Sequence, residues 1–136
     1  MSGLVQLELD EKDKENFKEL QDSMAEGQRE IMMLTTKLRT RNAEAKHAEL
    51  TLAELEPLDE STRTFEQVGK MFLLKPLPDL KKDLSETVES GTREVASLTD
   101  QKKHREEAHK KLQADFEEFV KAHMIESKEE ESGKKD

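Results

Sequence analysis

Histidine is the residue type in this chain with the chemistry for metal binding or proton transfer near neutral pH. The four histidines are His47, His104, His109 and His123. His104 and His109 are five positions apart, a poor spacing for two ligands of one metal, because neighbours on one helix face are about three or four positions apart. We therefore interpret both as residues of a helix surface or of a helix–helix contact, and we expect no metal site.

Other reactive groups are sparse. The run from Glu126 to Glu131 is acidic, but it lacks the alternating ligands and the glycine of a calcium-binding loop. The chain has no cysteine, which excludes a disulfide framework, a thiolate metal site and a cysteine nucleophile. It also has no glycine-rich phosphate loop, no HExxH pair and no nucleophile elbow. We therefore predict that the protein is not an enzyme and uses no cofactor.

The charge balance limits the partners that the chain can have. Its net charge of −9 argues against nucleic acid, because a phosphate-binding chain needs a basic stripe. No apolar run approaches the roughly 18 residues of a membrane-spanning helix, and the first residues lack the basic region and apolar run of a signal peptide. We therefore expect a soluble, cytoplasmic protein with no nucleic-acid partner and no membrane partner.

The composition and the spacing of apolar residues favour long helices. Charged residues make up 40% of the chain and hydrophobic residues 32%, which is too few to fill a compact core but enough for the narrow apolar stripe of a coiled coil. Apolar residues recur at alternating steps of three and four from Phe17 to Leu55 and again from Leu84 to His123, where the middle of the repeat is polar. This spacing predicts two long coiled-coil helices.

A different pattern separates the two repeats. All three prolines lie there, and Pro57 ends the first helix because it has no N–H and its ring clashes with the preceding turn. Two short runs that favour extended backbone, 62–68 and 71–74, flank Gly69-Lys70. Glycine in the first of two connecting positions fits a type II′ turn. The chain is therefore mainly α, with two helices joined by a short β-hairpin.

The predicted segments follow from these patterns. They are a flexible N-terminus (1–9), in which the first residues are either frayed or an extension of the helix, an N-terminal coiled-coil helix (10–56), a β-hairpin assembly element (57–76), a C-terminal coiled-coil helix (77–125) and a disordered charged tail (126–136).

The hairpin returns the second helix along the first, so the two repeats form one antiparallel coiled coil. If Leu55 lies opposite Leu80, the residue numbers of facing positions sum to about 135. The pairs predicted by this register are Ala45 with Gly91, Leu38 with Leu98, Arg41 with Glu94, Glu30 with Arg105, Met24 with Leu112, and Phe17 with Phe116 and Phe119. Small residues then meet small residues, and opposite charges meet.

The hairpin is too apolar to stand alone. The run from Met71 to Leu74 is continuously apolar, which is typical of a strand covered on both faces, and an isolated two-stranded hairpin is marginal in water. We therefore expect hairpins from several chains to associate into a shared sheet or intersubunit β-barrel; the alternative is a hairpin that only caps the coiled coil. The candidate oligomerisation residues are Phe65, Val68, Gly69, Met71, Phe72, Leu73 and Leu74.

At the opposite end, the register collects large apolar side chains from both helices. Helix ends fray, and several mobile apolar ends acting together can hold a non-native chain through many weak contacts. The alternative is that these side chains simply close the end of the coiled coil. The candidate client-binding residues are Phe17, Leu20, Met24, Leu112, Phe116 and Phe119.

Two stretches carry a family resemblance. The hairpin segment TFEQVGKMFLLKP, between two long helices, resembles the β-class prefoldin subunits, and the early LELDEKDKENFKELQ is similar to the same family. The likeness covers roughly residues 5 to 123, and one hairpin is the β-class pattern, whereas α-class subunits have two. The chain departs from the family at Pro76, at Pro78 and in the tail after Ile125.

The resemblance implies a function that composition alone does not. Prefoldin is a heterohexamer of two α-class and four β-class subunits, so the implied partners are two α-class and three further β-class subunits. Their hairpins form a double β-barrel from which six coiled coils extend. Their tips capture unfolded actin and tubulin without ATP and transfer them to the cytosolic group II chaperonin. The alternative is a structural or adaptor coiled-coil protein without chaperone activity.

Overall fold

The computed structural model describes residues 7 to 124. Helix α1 (Glu11–Leu55) is followed by strands β1 (Phe65–Val68) and β2 (Met71–Leu74) and then by helix α2 (Leu77–His123). The strands form one antiparallel two-stranded sheet. The predicted fold class, mainly α with two long helices joined by a short hairpin, is therefore confirmed, while the association of hairpins into a barrel stays a prediction.

Three of the predicted segments reach beyond the described residues. The charged tail (126–136) lies outside them, as do residues 1–6 of the predicted flexible N-terminus and residue 125 of the predicted C-terminal helix. The described residues of that segment do not extend helix α1. Leu7 forms an isolated β-bridge with Met124, residues 8–10 are not helical, and the Glu8 N–H donates to the carbonyl of His123.

Helix α1 begins where a side chain can satisfy its free backbone donors. The Asp10 carboxylate accepts the Asp13 N–H at 2.8 Å, which is the contact of an N-cap residue. Glu11 and Asp13 add negative charge to the first turn, where the helix dipole favours it. Asp10 is thus the N-cap of helix α1.

Helix α2 begins at Leu77 and accommodates both neighbouring prolines. The first N–H groups of a helix have no intrahelical partner, so Pro78 in the first turn costs no hydrogen bond. The Pro76 carbonyl accepts the Leu80 N–H at 3.0 Å. Leu77 is only 2% exposed, so an apolar anchor fixes this helix start.

The chain divides into two compact units. The hairpin unit, residues 33–103, contains the hairpin and the adjoining parts of both helices. A Cβ placed on Gly91 would lie 2.8 Å from the Ala45 Cβ, and Arg41 Nε lies 2.9 Å from a carboxylate oxygen of Glu94. Both predicted pairs are therefore confirmed. Hydrogen bonding to Glu44 and the negative charge of Glu94 raise the pKa of Arg41.

The terminal unit, whose described residues are 7–32 and 104–124, shows the same register. The Phe17 ring centroid lies 5.5 Å from that of Phe116 and 6.1 Å from that of Phe119. Arg105 Nη1 lies 3.1 Å from a Glu30 carboxylate oxygen. These contacts confirm the predicted facing of the helices within this unit.

Burial is that of a coiled coil. Half-buried positions follow the three-and-four spacing along both helices, and among the described apolar side chains only Ala48 and Leu77 are buried. The apolar residues therefore form a seam, as the composition predicts. Between residues 7 and 124, neither helix has a stretch apolar and long enough to cross a membrane.

Candidate functional site: an exposed hairpin and an apolar helix end

A glycine with positive φ turns the hairpin. Gly69 has φ of 63°, and no other described residue has a positive φ, so Lys70 does not. Positive φ at the first connecting residue alone distinguishes a type II′ turn from a type I′ turn. Val68 pairs with Met71 across this turn, and the connection therefore has two residues. The role of Gly69 in the hairpin is therefore to adopt the positive φ that this turn requires.

The register places apolar side chains on both faces of the hairpin. Directly opposed residues of an antiparallel pair share a face, so the pairs alternate between the two faces. The pairs are Phe65 with Leu74, Glu66 with Leu73, Gln67 with Phe72, and Val68 with Met71. One face therefore carries the two phenylalanines with Leu74, and the other carries Val68, Met71 and Leu73.

Neither face is covered by the described chain. All eight strand residues are exposed, and Phe72 and Leu74 expose 68% and 65% of their surface. Large contiguous apolar patches of this kind mark interaction sites in soluble proteins. All seven predicted oligomerisation residues thus lie in one exposed element, and their role in assembly stays a prediction.

The base of the hairpin is held by contacts that sequence reasoning missed. The Thr64 hydroxyl donates to the Lys75 carbonyl, and the Lys75 N–H donates to the Thr64 carbonyl at 2.9 Å. The Lys75 ammonium contacts the Asp83 carboxylate of α2 and lies 3.4 Å from the Glu66 carboxylate of β1. Lys75 therefore connects a strand to a helix, and we call Lys75, Glu66 and Asp83 the lysine clamp.

The lysine clamp also perturbs an ionisation. The hydrogen bond from the Lys75 ammonium to Asp83 is the main cause of the raised pKa of Lys75, and the contact with Glu66 raises this pKa further. Because the Lys75 side chain is partly exposed, solvent screens much of this interaction. In the sequence, the only sign of the clamp was a lysine at the end of an apolar run, which carries no information about its partners.

In the terminal unit, the aromatic cluster of Phe17, Phe116 and Phe119 is half-buried. Phe119 also lines an open groove of about 360 Å³ together with Leu20 and polar residues of α1, which is a volume within the range of binding sites, roughly 300 to 1,000 Å³. The structure thus brings four of the six predicted client-binding residues together. Their packing is equally that of a closed helix end, so client binding stays a prediction.

The other two predicted residues lie along the same seam. Met24 and Leu112 are half-buried. Leu112 lines a second groove of about 480 Å³ with residues that include Gly27 and His109. His109 Nδ1 is buried and has no hydrogen-bond partner, and a Cβ on Gly27 would lie 3.0 Å from it. His109 is therefore a seam residue.

His123 joins three parts of the terminal unit. Its Nδ1 donates to the Phe119 carbonyl at 2.8 Å, and its ring stacks on the Phe119 ring with centroids 4.3 Å apart. Its Nε2 lies 3.3 Å from an Asp13 carboxylate oxygen. The His123 carbonyl accepts the Glu8 N–H at 2.9 Å. We call residues 7–10 the strap, because they attach the start of the described chain to the end of α2.

Sequence reasoning missed the strap, although a signal was present. Leu7, Glu8, Leu9 and Asp10 alternate between apolar and acidic, which is the period of a half-buried extended segment. The segment is short and precedes a much longer helical repeat, so the sequence alone leaves a frayed end and an extension of the helix as the two interpretations.

Comparison with known proteins identifies similar chains over most of the length. A family described as Prefoldin subunit matches residues 8–123. Prefoldin subunit 1 of Arabidopsis thaliana is 33% identical over 71% of this chain and 76% of its own. Prefoldin subunit 1 of Danio rerio is 30% identical over 88% and 95% of the two chains, and that of Homo sapiens is 28% identical over 90% and 97%.

A solved structure has the same fold. The prefoldin beta subunit from Thermococcus strain KS-1 superposes with a TM-score of 0.67 and covers 77% of this chain and 92% of its own. Its sequence identity of 18% means that this comparison concerns the fold alone.

Proposed function

The chain belongs to the prefoldin subunit family, and from this premise we propose that it is a β-type subunit of a heterohexameric co-chaperone. Its partners in the complex are two α-class and three further β-class subunits. The complex holds unfolded actin and tubulin without ATP and passes them to the cytosolic group II chaperonin. The protein acts in the cytoplasm, is not an enzyme and needs no cofactor.

The observation that carries this proposal is the uncovered hairpin. Its apolar side chains lie on both faces, and all eight strand residues are exposed. A two-stranded sheet with two apolar faces and two free edges is unstable as an isolated element in water. Hairpins from other subunits can pair with its free edges and cover its apolar faces. An adaptor coiled coil has no need of such an element at its bend.

The aromatic cluster supports the client-holding part of the proposal. Its three rings come from the two helices of one unit and remain half-buried, so local opening of the helix ends exposes apolar surface without unfolding the rest. Each large apolar side chain that a client covers fully is worth roughly 1.5 to 3 kcal/mol. Several arms of one complex acting on the same client add avidity.

Native mass spectrometry tests the proposal at the level of assembly. The tagged full-length chain is purified from its own cells and its mass is measured under native conditions. We expect one six-subunit species with five companion chains. A monomer, or a homodimer held by the helices, contradicts the proposal and leaves the structural or adaptor coiled coil as the function.

A further inference from the structure

The strap lies on the terminal unit with an apolar face and a polar face. Leu7 and Leu9 are half-buried, whereas Glu8 and Asp10 are exposed. Alternation of buried and exposed side chains is the pattern of an extended segment that rests on a surface with one face. The terminal unit therefore has a surface that accepts an extended chain with apolar residues at every second position.

The backbone contacts of the strap do not depend on its side chains. The Glu8 N–H donates to the His123 carbonyl at 2.9 Å, and Leu7 forms an antiparallel bridge with Met124. His123 is the last residue of α2, and the last carbonyls of a helix have no intrahelical partner. An N–H group from any extended polypeptide can satisfy this acceptor, which makes the site suited to chains of unrelated sequence.

The attachment point of the strap is continuous with the aromatic cluster. The His123 ring stacks on Phe119, and Phe119 in turn contacts Phe17. Asp13, on the first turn of α1, lies beside the same imidazole. A chain that replaces the strap at His123 therefore starts next to the apolar side chains predicted to hold a client.

We propose that the strap occupies a docking site for an extended polypeptide segment with apolar residues at alternate positions, and that an unfolded client displaces the strap to bind there. This inference rests on the proposed client-holding function and adds the conformation and pattern of the bound segment. The strap is tethered, so it refills the site when no client is present. A client with several such segments displaces it, because the strap supplies only two half-buried leucines.

A reversible disulfide tests this displacement. The chain has no cysteine, so Leu7→Cys with Met124→Cys introduces a single possible intrachain bridge. Directly opposed residues of an antiparallel pair have Cα atoms roughly 4.5 to 5.5 Å apart, within the range that a disulfide spans. Oxidation locks the strap in place, and a reductant frees it in the same sample.

The measurement uses the full chain assembled with its partner subunits. A photoreactive benzoylphenylalanine replaces Lys121, which is exposed in the last turn of α2. Because only this subunit carries the photoreactive group, cross-linking detects client bound at this subunit and not at the other subunits of the complex. Chemically unfolded actin is the probe. We expect the reduced protein to cross-link to actin as the cysteine-free protein does, and the oxidised protein to lose cross-linking several-fold. Equal cross-linking in both states overturns the inference.

Two further variants separate displacement from damage. Leu7→Ser with Leu9→Ser weakens the strap, and we expect stronger cross-linking to actin at limiting complex concentration. Glu8→Ser changes an exposed side chain of the same segment, keeps the backbone donor and is expected to behave as the unmodified chain. Weaker capture by the double serine variant contradicts displacement. If the reduced and cysteine-free proteins both fail to capture actin, the proposed function itself fails.

Discussion

Two glycines in the hairpin unit are required for different physical reasons. Gly69 has positive φ, and a Cβ there would meet nothing within 4 Å. Its substitution is therefore destabilising only because other residues rarely adopt this backbone conformation. Gly91 lies in helix α2, and a Cβ there would lie 2.8 Å from the Ala45 Cβ. Its substitution costs packing, because the two helices approach each other at this pair.

Gly91→Ala tests the close approach. Alanine gains about 1 kcal/mol over glycine in helix propensity, but overpacking typically costs about 1 to 3 kcal/mol. Because the contact with Ala45 is shorter than real Cβ contacts, we expect net destabilisation on the order of 1 kcal/mol, measured by chemical unfolding. The matched control is Ala45→Gly with Gly91→Ala, which moves the methyl group to the other helix and is expected to restore stability. A stabilised Gly91→Ala variant contradicts the close packing.

At the scale of elements, helices and hairpin depend on different kinds of contact. The helices are joined by a repeated seam in which small, apolar and charged pairs follow one register, including Ala45 with Gly91 and Arg41 with Glu94. The hairpin is joined to α2 by the lysine clamp, and its base is closed by hydrogen bonds between the buried Thr64 and Lys75. When one seam pair is lost, many other seam pairs still join the helices, whereas few other contacts can replace those of the lysine clamp.

The lysine clamp predicts a pH-dependent hairpin. The pKa of Lys75 is raised above its ordinary value of 10.5, so the clamp contributes fully below that pH and is lost as pH rises through the raised pKa. We expect Lys75→Met to increase amide hydrogen exchange in β1 and β2 at neutral pH. The difference from the unmodified chain is expected to shrink at strongly alkaline pH, when Lys75 loses its charge.

Two controls identify the clamp as the cause. Asp83→Asn removes the main partner of Lys75 and is expected to have the same effect on exchange in the strands. Lys70→Met neutralises a lysine in the turn of the same hairpin and is expected to have little effect. If all three variants exchange alike, general charge rather than the clamp governs the hairpin.

The described chain combines an uncovered two-stranded sheet with a half-buried aromatic cluster. The sheet exposes apolar residues on both faces, and the terminal unit keeps its aromatic cluster half-buried. Under the proposed function, assembly uses the hairpin and client holding uses the aromatic cluster, so separate substitutions are expected to disrupt each of them.

Charges on the hairpin are expected to prevent assembly. Val68→Asp with Phe72→Asp places one carboxylate on each face of the sheet, where burial between hairpins would leave it desolvated and unpaired. We expect loss of incorporation into the hexamer by native mass spectrometry, with helical circular dichroism unchanged. Lys70→Asp, in the turn, is the control and is expected to assemble. Hexamers that still form with both hairpin charges contradict the barrel hypothesis.

Removal of the aromatic cluster is expected to weaken client holding and leave the complex intact. With Phe17, Phe116 and Phe119 all changed to Ser, this arm loses its largest apolar side chains, and we expect weaker suppression of actin aggregation, measured by light scattering. Met33→Ser with Leu50→Ser changes exposed apolar residues elsewhere on α1 and is the control. Unchanged suppression in the triple variant contradicts the assignment of the cluster to client binding.

The helices, the turn and the register can be predicted from the order of the amino acids alone. Apolar spacing reports helix faces directly, because the period of a helix is local, and Gly69 and the three prolines mark where that period stops. Matching the two repeats then predicted Glu30 with Arg105 and Phe17 with Phe116, since a seam that pairs apolar and oppositely charged residues has one good alignment.

The contacts that hold the ends of these elements become visible in the folded chain. The lysine clamp joins residues of a strand and a helix, and the strap joins Leu7 to Met124. Each consists of a few contacts between residues that no repeat relates, so their partners become visible only when the chain is folded. Periodic burial leaves a pattern along the chain, whereas a single hydrogen bond or ion pair between distant residues leaves none.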